Sequence, residues 1–210
     1  MTATVISIAN LKGGSGKTTL TMNLAAGLGK RGRTLVVDAD PQGSASQWAS
    51  GGVNGKAYPH SVIACGNLTR DVRGFMPDYR YIVIDCPPSL ESQITQASTK
   101  VADHMLIPVL PSPMDLWASV RMADAVQNAR IDNPRLKAWL ILNQLEARNA
   151  LSRSMQEALA EFEIPALSNG LRRRAIYRSA ALEGASVYDL GRGKPAAAEI
   201  DAIIDEVLPQ

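Results

Sequence analysis

The sequence is poor in the residues that build disulfide frameworks, metal clusters and membrane spans. Its 210 residues include two cysteines and two histidines, and neither pair has the spacing of a metal site or a CxxC motif. The longest apolar runs, such as residues 105–110, are far too short to cross a bilayer. The first ten residues lack the basic region and cleavage site of a signal peptide. We therefore expect a cytoplasmic protein.

An excess of charge of one sign is also lacking. The 22 basic and 20 acidic side chains leave a net charge of +2, so any contact with nucleic acid must rest on a local basic patch. Hydrophobic residues make up 46% of the chain and charged residues 20%. This composition is typical of a globular protein with a sizeable core, and it excludes a disordered chain.

Short apolar runs rich in β-branched residues recur along the chain, and they are nearly all apolar rather than alternating. This is the pattern of strands buried on both faces. The runs are residues 5–9, 34–39, 81–85, 105–109 and 138–143. Helical spacing of apolar residues appears in three stripes: Leu20/Leu24/Leu28, Leu151/Met155/Leu159/Phe162 and Ile200/Ile203/Ile204/Val207.

This alternation predicts an α/β fold with a single doubly wound, mainly parallel sheet and helices on both faces. We find no repeat and no linker, so we predict one domain over residues 1–210. Residues 51–55, GGVNG, are predicted to form a surface loop.

A glycine-rich segment, KGGSGKTT at residues 12–19, follows the first strand and precedes the first helical stripe. This is the context of a phosphate-binding loop, in which backbone N–H groups and a helix N-terminus bind an anion. We predict that Lys17 binds the β- and γ-phosphates, that Thr18 binds Mg²⁺ and that Thr19 contacts the α-phosphate. The predicted loop residues of the nucleotide site are Gly13, Gly14, Ser15, Gly16, Lys17, Thr18 and Thr19.

The loop departs from the pattern G-x-x-x-x-G-K-[ST] in two ways. Leu11 stands where the leading glycine belongs, and Lys12 adds a second lysine. The three remaining glycines preserve the phosphate-binding chemistry. Because Lys12 cannot easily fold back onto the phosphates that Lys17 serves, it is either a solvated surface lysine or a residue that reaches a nucleotide held by a second subunit.

Three aspartates, Asp38, Asp40 and Asp85, lie at the ends of predicted strands. The carboxyl ends of parallel strands meet at the edge where open α/β sheets bind ligands. Hydrolysis of a nucleoside triphosphate requires a cation and a positioned water, so carboxylates are expected there. An isolated aspartate at a strand end is more often a turn or N-cap residue, but three beside a phosphate loop favour a catalytic site. Asp85 is predicted to hold Mg²⁺ through a water.

These segments resemble the deviant Walker A ATPases of the ParA/MinD superfamily, whose signature is the extra lysine of KGGSGKTT. The other resembling segments are residues 36–46, 81–89, 107–118 and 171–189. The resemblance implies a Mg²⁺-dependent ATPase that forms a homodimer around two ATP molecules. It implies that Lys12, Lys17 and Asp40 are catalytic. It also implies that Lys12 contacts the ATP held by the partner subunit.

The resemblance implies further roles within this site. Asp40 orients or activates the attacking water, and Asp38 lies close to the metal bound by Thr18 and Asp85. The proline-rich segment 111–115 is expected to shape the dimer interface, with Asp115 near the partner's nucleotide.

The bound base is predicted to be adenine. Residues 40–43, DPQG, match the D-x-x-G of GTPases, but Gln144 and Glu146 replace the Lys and Asp with which GTPases recognise guanine. By resemblance, Asn143 contacts adenine and the loop 164–169 completes the base pocket. ATP and Mg²⁺ are therefore the predicted cofactors.

A basic segment lies near the C-terminus, where residues 168–181 contain Arg172, Arg173, Arg174 and Arg178 and no acidic residue. Consecutive arginines cannot share a helix face, so we do not expect three in a row to pair with three internal carboxylates. The segment is either a solvated loop with scattered ion pairs or a patch for DNA phosphates. Resemblance to small ParA proteins favours non-specific DNA binding by the ATP dimer, nucleoid association and no N-terminal module for site-specific binding.

The resemblance also implies a cargo, such as a plasmid or a carboxysome, and an adaptor protein on the cargo that stimulates hydrolysis. The alternative is MinD-like positioning on a membrane through a C-terminal amphipathic helix. The polar side of the last predicted helix carries four acidic residues, which an anionic membrane would repel: Glu199, Asp201, Asp205 and Glu206. We therefore expect its apolar stripe to pack in the core, and we expect no membrane partner.

Overall fold

The structure is a computed structural model that describes residues 3–52, 58–89, 92–146, 159 and 163–209. The strands are β1 (Thr4–Ile8), β2 (Thr34–Asp38), β3 (Ser61–Ala64), β4 (Tyr81–Asp85), β5 (His104–Val109) and β6 (Lys137–Leu142). The helices whose bounds lie within the described residues are α1 (Lys17–Gly29), α2 (Ser44–Ser50), α3 (Leu68–Phe75), α4 (Gln93–Val101), α5 (Pro113–Asp132), α6 (Ala175–Leu182) and α7 (Lys194–Val207).

The six strands form one sheet in the order β3-β2-β4-β1-β5-β6, and every pairing is parallel. All residues of β2, β4 and β5 are buried, as their continuous apolar runs predict. The predicted doubly wound α/β fold is confirmed. Strand β3 was not predicted, because a four-residue edge strand with exposed residues at both ends lacks a buried apolar run.

Helices cover both faces of the sheet. One core cluster joins α1, α2, α6 and α7 to one face through residues such as Ile8, Leu24 and Ile200. The other cluster joins α3, α4 and α5 to the opposite face, and Val5 and Met122 belong to it. Alternate strand residues therefore point to two separate apolar layers.

The last helix, α7, packs its apolar stripe into the core, as predicted. Its four stripe residues are at most 4% exposed: Ile200, Ile203, Ile204 and Val207. They belong to the same cluster as Leu24 and Leu28 of α1, so this stripe is not available to a membrane surface. Within the described part of the chain, every helix is too short or too polar to span a bilayer.

Two predictions fall on residues that the structure does not describe. The stripe from Leu151 to Phe162 lies outside the described residues except for Leu159, which is buried. The loop at 51–55 is described only for its first two residues. The assignment of the whole chain to one domain stays a prediction.

The carboxyl edge of the sheet carries the loops that form the site. Gly14 and Gly16, which follow β1, have φ values of 76° and 90°, and Gly43, which follows β2, has a φ of 66°. A left-handed backbone of this kind strongly favours glycine. These residues turn the chain sharply from buried strands into α1 and α2, so that the starts of both helices lie beside the strand ends.

Candidate active site

The loop between β1 and α1 closes around Lys17. The Lys17 ammonium donates a hydrogen bond to the backbone carbonyl of Lys12 at 3.1 Å, and the Ser15 hydroxyl donates to the same carbonyl at 3.2 Å. Only 7% of Lys17 is exposed. The loop therefore holds a buried cation at the N-terminus of α1, which is the combination of charge and backbone donors that binds phosphate.

Lys12 contacts a different part of the molecule. Its backbone N–H donates to the Asn10 side chain at 3.2 Å, and the Asn10 amide donates to the carbonyl of Pro108 in β5 at 2.6 Å. The Lys12 ammonium lies 3.0 Å from a carboxylate oxygen of Asp115 at the start of α5, and their side chains are 38% and 5% exposed. Ser112 caps α5 and also donates to this carboxylate. In a single chain, Lys12 thus makes an ion pair with α5.

Asp85 lies directly beneath the phosphate loop. Its two oxygens accept hydrogen bonds from the Thr18 hydroxyl at 2.7 Å and from the Thr21 hydroxyl at 3.1 Å. Burial raises the pKa of Asp85 to about 7, although both hydroxyls and nearby Lys17 favour its charged form. Burial also lowers the pKa of Lys17, and the charges of Asp85 and Asp40 oppose this shift.

Asp38 lies opposite Asp85 on the neighbouring strand and is 3% exposed. One of its carboxylate oxygens accepts a hydrogen bond from the Ser46 N–H at 2.7 Å. Its other oxygen is buried and has no hydrogen-bond partner among the described residues. The negative charge of Asp38 also contributes to the raised pKa of Asp85.

This arrangement fits a divalent cation. Two adjacent buried carboxylates, one with an unpaired oxygen, lie beside the Thr18 hydroxyl, and hard cations such as Mg²⁺ prefer such oxygen ligands. Within the described residues no cluster of three or more His, Cys, Asp or Glu side chains has the geometry of a metal site. A magnesium ion here would therefore take most of its ligands from phosphate and water, as is usual for this ion.

Asp40 is held less firmly than the other two aspartates. It lies in the turn between β2 and α2, where its carboxylate accepts the Gln42 N–H at 3.0 Å and its carbonyl accepts the Gly43 N–H at 2.9 Å. The residue is half-buried. Its charge is close enough to oppose the lowered pKa of Lys17. A carboxylate so placed can accept a proton from a water that attacks a phosphate held by Lys17.

Asn143, at the end of β6, contacts the phosphate loop directly. Its amide donates to the Ser15 carbonyl at 2.7 Å, and its side-chain oxygen accepts the Gln144 N–H at 2.8 Å. A Cβ atom on Gly16 would clash with the Asn143 amide nitrogen, so the close approach requires glycine. Gln144 has a φ of 58°, which is uncommon for a residue other than glycine. Asn143 therefore fixes the loop relative to β6.

The four predicted DNA-binding arginines lie together along a cavity of 530 Å³. Two of its walls are the start of α1, with Gly16 and Thr19, and the end of β6, with Asn143 and Gln144. Its third wall is the basic segment with Arg172, Arg173, Arg174, Ala175, Tyr177, Arg178 and Ala181. The four predicted DNA-binding arginines therefore lie next to the predicted phosphate loop.

The loop 164–169 lies elsewhere. Leu140 of β6 donates to the carbonyl of Pro165 at 2.9 Å and accepts from the N–H of Leu167 at 2.8 Å. The N–H groups of Ser168 and Asn169 donate to the Glu206 carboxylate. None of the described residues of this loop lines the 530 Å³ cavity. Its predicted contribution to the base pocket stays a prediction.

As expected, the three consecutive arginines do not pair with three internal carboxylates, because they share two. Arg174 makes a 2.6 Å ion pair with Glu199, and Arg173 makes a 2.9 Å ion pair with Glu146. The Arg172 guanidinium lies 3.9 Å from Glu199. The expectation was argued from a helix face, whereas the segment is extended, with a β-bridge at Arg172 and φ and ψ of −128° and 137° at Arg174. Side chains of an extended chain alternate, so Arg172 and Arg174 share one carboxylate and Arg173 takes another.

Sequence reasoning missed two contacts of the site. Thr21 lies three residues after Thr18, and this helical spacing puts both hydroxyls on one side of α1, which was a readable signal. The Ser46 N–H that binds Asp38 belongs to the first turn of α2, and a short polar helix of this kind has no clear sequence pattern.

Residues 6–187 match the sequence model of the CobQ/CobB/MinD/ParA nucleotide binding domain. The chain belongs to this family. It is 46% identical over 211 residues to the maintenance of carboxysome distribution protein A of Halothiobacillus neapolitanus, an alignment that covers 99% of this chain and 97% of that protein. The predicted resemblance to the ParA/MinD superfamily is confirmed.

Solved structures of this family share the fold. The apo McdA of Cyanothece superposes with a TM-score of 0.80 at 18% identity and covers 98% of this chain and 99% of its own. A complex of Cyanothece McdA with ATP superposes with a TM-score of 0.76 at 19% identity. The superposition covers 98% of this chain and 96% of that one. At these identities the likeness establishes the fold.

Proposed function

We propose that this protein is a Mg²⁺-dependent, ParA-type ATPase that forms an ATP-sandwich dimer and positions a carboxysome. The observation that carries the proposal is that the two lysines of one loop have different contacts. Lys17 is buried within the loop, whereas the Lys12 side chain leaves the loop and pairs with Asp115. The likeness to a carboxysome distribution protein, at 46% identity, supports this cargo over a plasmid.

The chemistry assigned to this chain is phosphoryl transfer to water. Lys17 and the N-terminus of α1 bind the β- and γ-phosphates, and the Asp40 carboxylate orients the attacking water. Thr18, Asp85 and Asp38 would hold Mg²⁺, which supplies positive charge next to the phosphates. Lys17, Asp38 and Asp85 are buried, so their charges act in a medium of low dielectric constant.

Dimerisation is proposed because the Lys12 ammonium pairs with Asp115 on α5, whereas the Lys17 ammonium stays within the loop. Exposed apolar side chains beside the Lys12–Asp115 ion pair support an interface on α5. Met114, Trp117 and Val120 are 58%, 65% and 51% exposed and lie at helical spacing along α5. In the dimer, Lys12 would leave Asp115 and reach the phosphates held by the partner, where a cation stabilises the charge that develops during hydrolysis.

DNA and an adaptor protein are the proposed partners of the dimer. Arg172 and Arg173 have side chains that are 57% and 62% exposed, so they remain open to DNA phosphates despite their ion pairs. Such contacts give affinity that is independent of sequence and sensitive to salt. Binding to the nucleoid would follow, and an adaptor on the cargo would stimulate hydrolysis and release the dimer.

Size-exclusion chromatography with light scattering tests the dimer. We expect the Asp40→Ala variant to bind ATP without hydrolysing it and to elute as a dimer with ATP and as a monomer with ADP. A second variant, Asp40→Ala with Lys12→Ala, is expected to bind ATP and remain monomeric. A monomer in ATP for the first variant would overturn the sandwich proposal.

The cargo is tested in cells that form carboxysomes. Removal of this protein is expected to change evenly spaced carboxysomes into clusters, as seen by fluorescence microscopy of a labelled shell protein. Restoration of spacing by wild type but not by Lys12→Ala would tie positioning to the proposed dimer. Normal spacing without the protein would reject carboxysomes as its cargo.

A further inference from the structure

The 530 Å³ cavity beside the phosphate loop is strongly basic. Its lining residues include four arginines and no acidic residue. One of its walls is formed by Gly16 and Thr19 at the N-terminus of α1, where the partial charge of the helix is positive. The cavity is therefore suited to an anion that is bound next to the phosphate loop.

The position of the cavity identifies which part of a nucleotide reaches it. The carboxylates of Asp85 and Asp38 lie on one side of the loop, together with the Thr18 hydroxyl. None of these three residues lines the cavity, which instead takes Thr19 and Asn143 from the other side. The metal and the γ-phosphate belong on the carboxylate side, so the α-phosphate, ribose and base belong on the cavity side.

The four arginines differ in their partners. Glu199 bonds Arg174 and lies close to Arg172, and Glu146 bonds Arg173. Arg178 is exposed on α6, and no carboxylate among the described residues pairs with it. Of the guanidinium groups on this wall, Arg178 therefore has its five donors available to a ligand.

We propose that Arg178 is a nucleotide-binding residue whose guanidinium contacts the α-phosphate of the nucleotide held by its own chain. This inference rests on the proposed function, because it takes the bound ligand to be ATP or ADP. A guanidinium binds two phosphate oxygens at once, so it adds both charge and orientation. The α-phosphate is common to ATP and ADP, so the contact strengthens the binding of both to the same degree. In this respect Arg178 differs from Lys12, which is proposed to act on the partner's ATP.

Isothermal titration of the monomer with ADP tests the inference without dimerisation or hydrolysis. We expect Arg178→Ala to weaken ADP binding about tenfold, the loss typical of one hydrogen-bonded charged contact. ATP binding, measured in the Asp40→Ala background, is expected to weaken by the same factor. Arg178→Lys retains the charge without the two-oxygen geometry and is expected to recover part of the affinity. The matched control is Arg192→Ala, which removes an exposed arginine outside the cavity and should leave ADP binding unchanged.

Two results would overturn the inference while leaving the proposed function intact. One is an ADP affinity of Arg178→Ala within twofold of wild type, whatever its effect on DNA binding. The other is a loss confined to ATP, which would place Arg178 near the γ-phosphate or at the dimer interface. If wild type itself binds neither ADP nor ATP, the proposed function fails.

Discussion

The two sides of the phosphate loop differ in burial and in what neutralises their charges. On the carboxylate side, where the metal is proposed to bind, Asp38 and Asp85 are 3% and 1% exposed and accept hydrogen bonds from hydroxyl and backbone groups. On the arginine side, Arg172 and Arg173 have side chains more than half exposed and lie close to carboxylates. Charges act strongly in the buried half and are screened by solvent and salt in the exposed half. Substitutions on the carboxylate side should therefore have much larger effects than substitutions on the arginine side.

The largest effect is expected for Lys17→Ala. Removal of the buried cation that is proposed to bind the transferred phosphate should lower the rate of hydrolysis at least about 10²-fold and abolish measurable ATP binding. Phosphate release and ATP titration measure the two effects. Lys12→Ala is the control within the same loop, since it should retain ATP binding in the monomer. Equal loss of ATP binding in both variants would contradict the proposal that Lys17, and not Lys12, binds the ATP of its own chain.

The pH dependence of stability is expected to reflect Asp85. Its pKa is about 7 in the folded chain and about 3.9 in an unfolded one, so between these values the folded state binds more protons. The contribution of Asp85 to the free energy of unfolding is therefore full below about pH 4 and falls as pH rises towards 7.

Urea denaturation of the nucleotide-free protein at several pH values measures this contribution. In Asp85→Asn, which cannot ionise, the fall between pH 4 and 7 should be smaller than in wild type. A pH profile identical to that of wild type would show that Asp85 is ionised in the fold.

On the arginine side, the double variant Arg172→Ala with Arg173→Ala should weaken ATP-dependent binding to random-sequence DNA. The slope of log K against log salt concentration should become shallower by about 0.9 for each DNA phosphate that the variant no longer neutralises. Arg174 is left in place because its bond to Glu199 is also structural. Arg70→Ala with Arg73→Ala on α3 removes the same charge from the opposite face and should change binding little. Equal reductions in DNA affinity in the two double variants would reject a local patch.

The smallest effect is expected at the ion pair that joins the loop to α5. Asp115→Asn removes the carboxylate that binds Lys12, so ATP should drive dimerisation at a concentration lower by up to about fivefold, the range of partly exposed ion pairs. Analytical ultracentrifugation across an ATP series measures the shift. Asp124→Asn, further along the same helix, controls for the change in charge. Weaker dimerisation in Asp115→Asn would show that the carboxylate positions Lys12 instead of restraining it.

Much of the fold could be predicted because burial on both faces leaves a clear pattern. The five strands read from apolar runs lie within one residue of their observed ends, whereas the exposed edge strand β3 was missed. Helix α5 begins with Ser112 as N-cap and proline at the first position, so its start was also readable. The sharing of two carboxylates by three arginines could not be predicted in detail, because the argument used a helix face and the segment is extended.

The phosphate loop could be predicted from the sequence alone, because its glycines, Lys17 and Thr18 are neighbours in the chain. Pairings between distant residues depended on the order of the strands. Lys12 meets Asp115 across 103 positions because β5, which leads into α5, lies next to β1. Likewise Asp38 lies opposite Asp85 because β2 pairs with β4. No spacing along the chain encodes these contacts, because the parallel sheet brings together strand ends that sequence separation keeps apart.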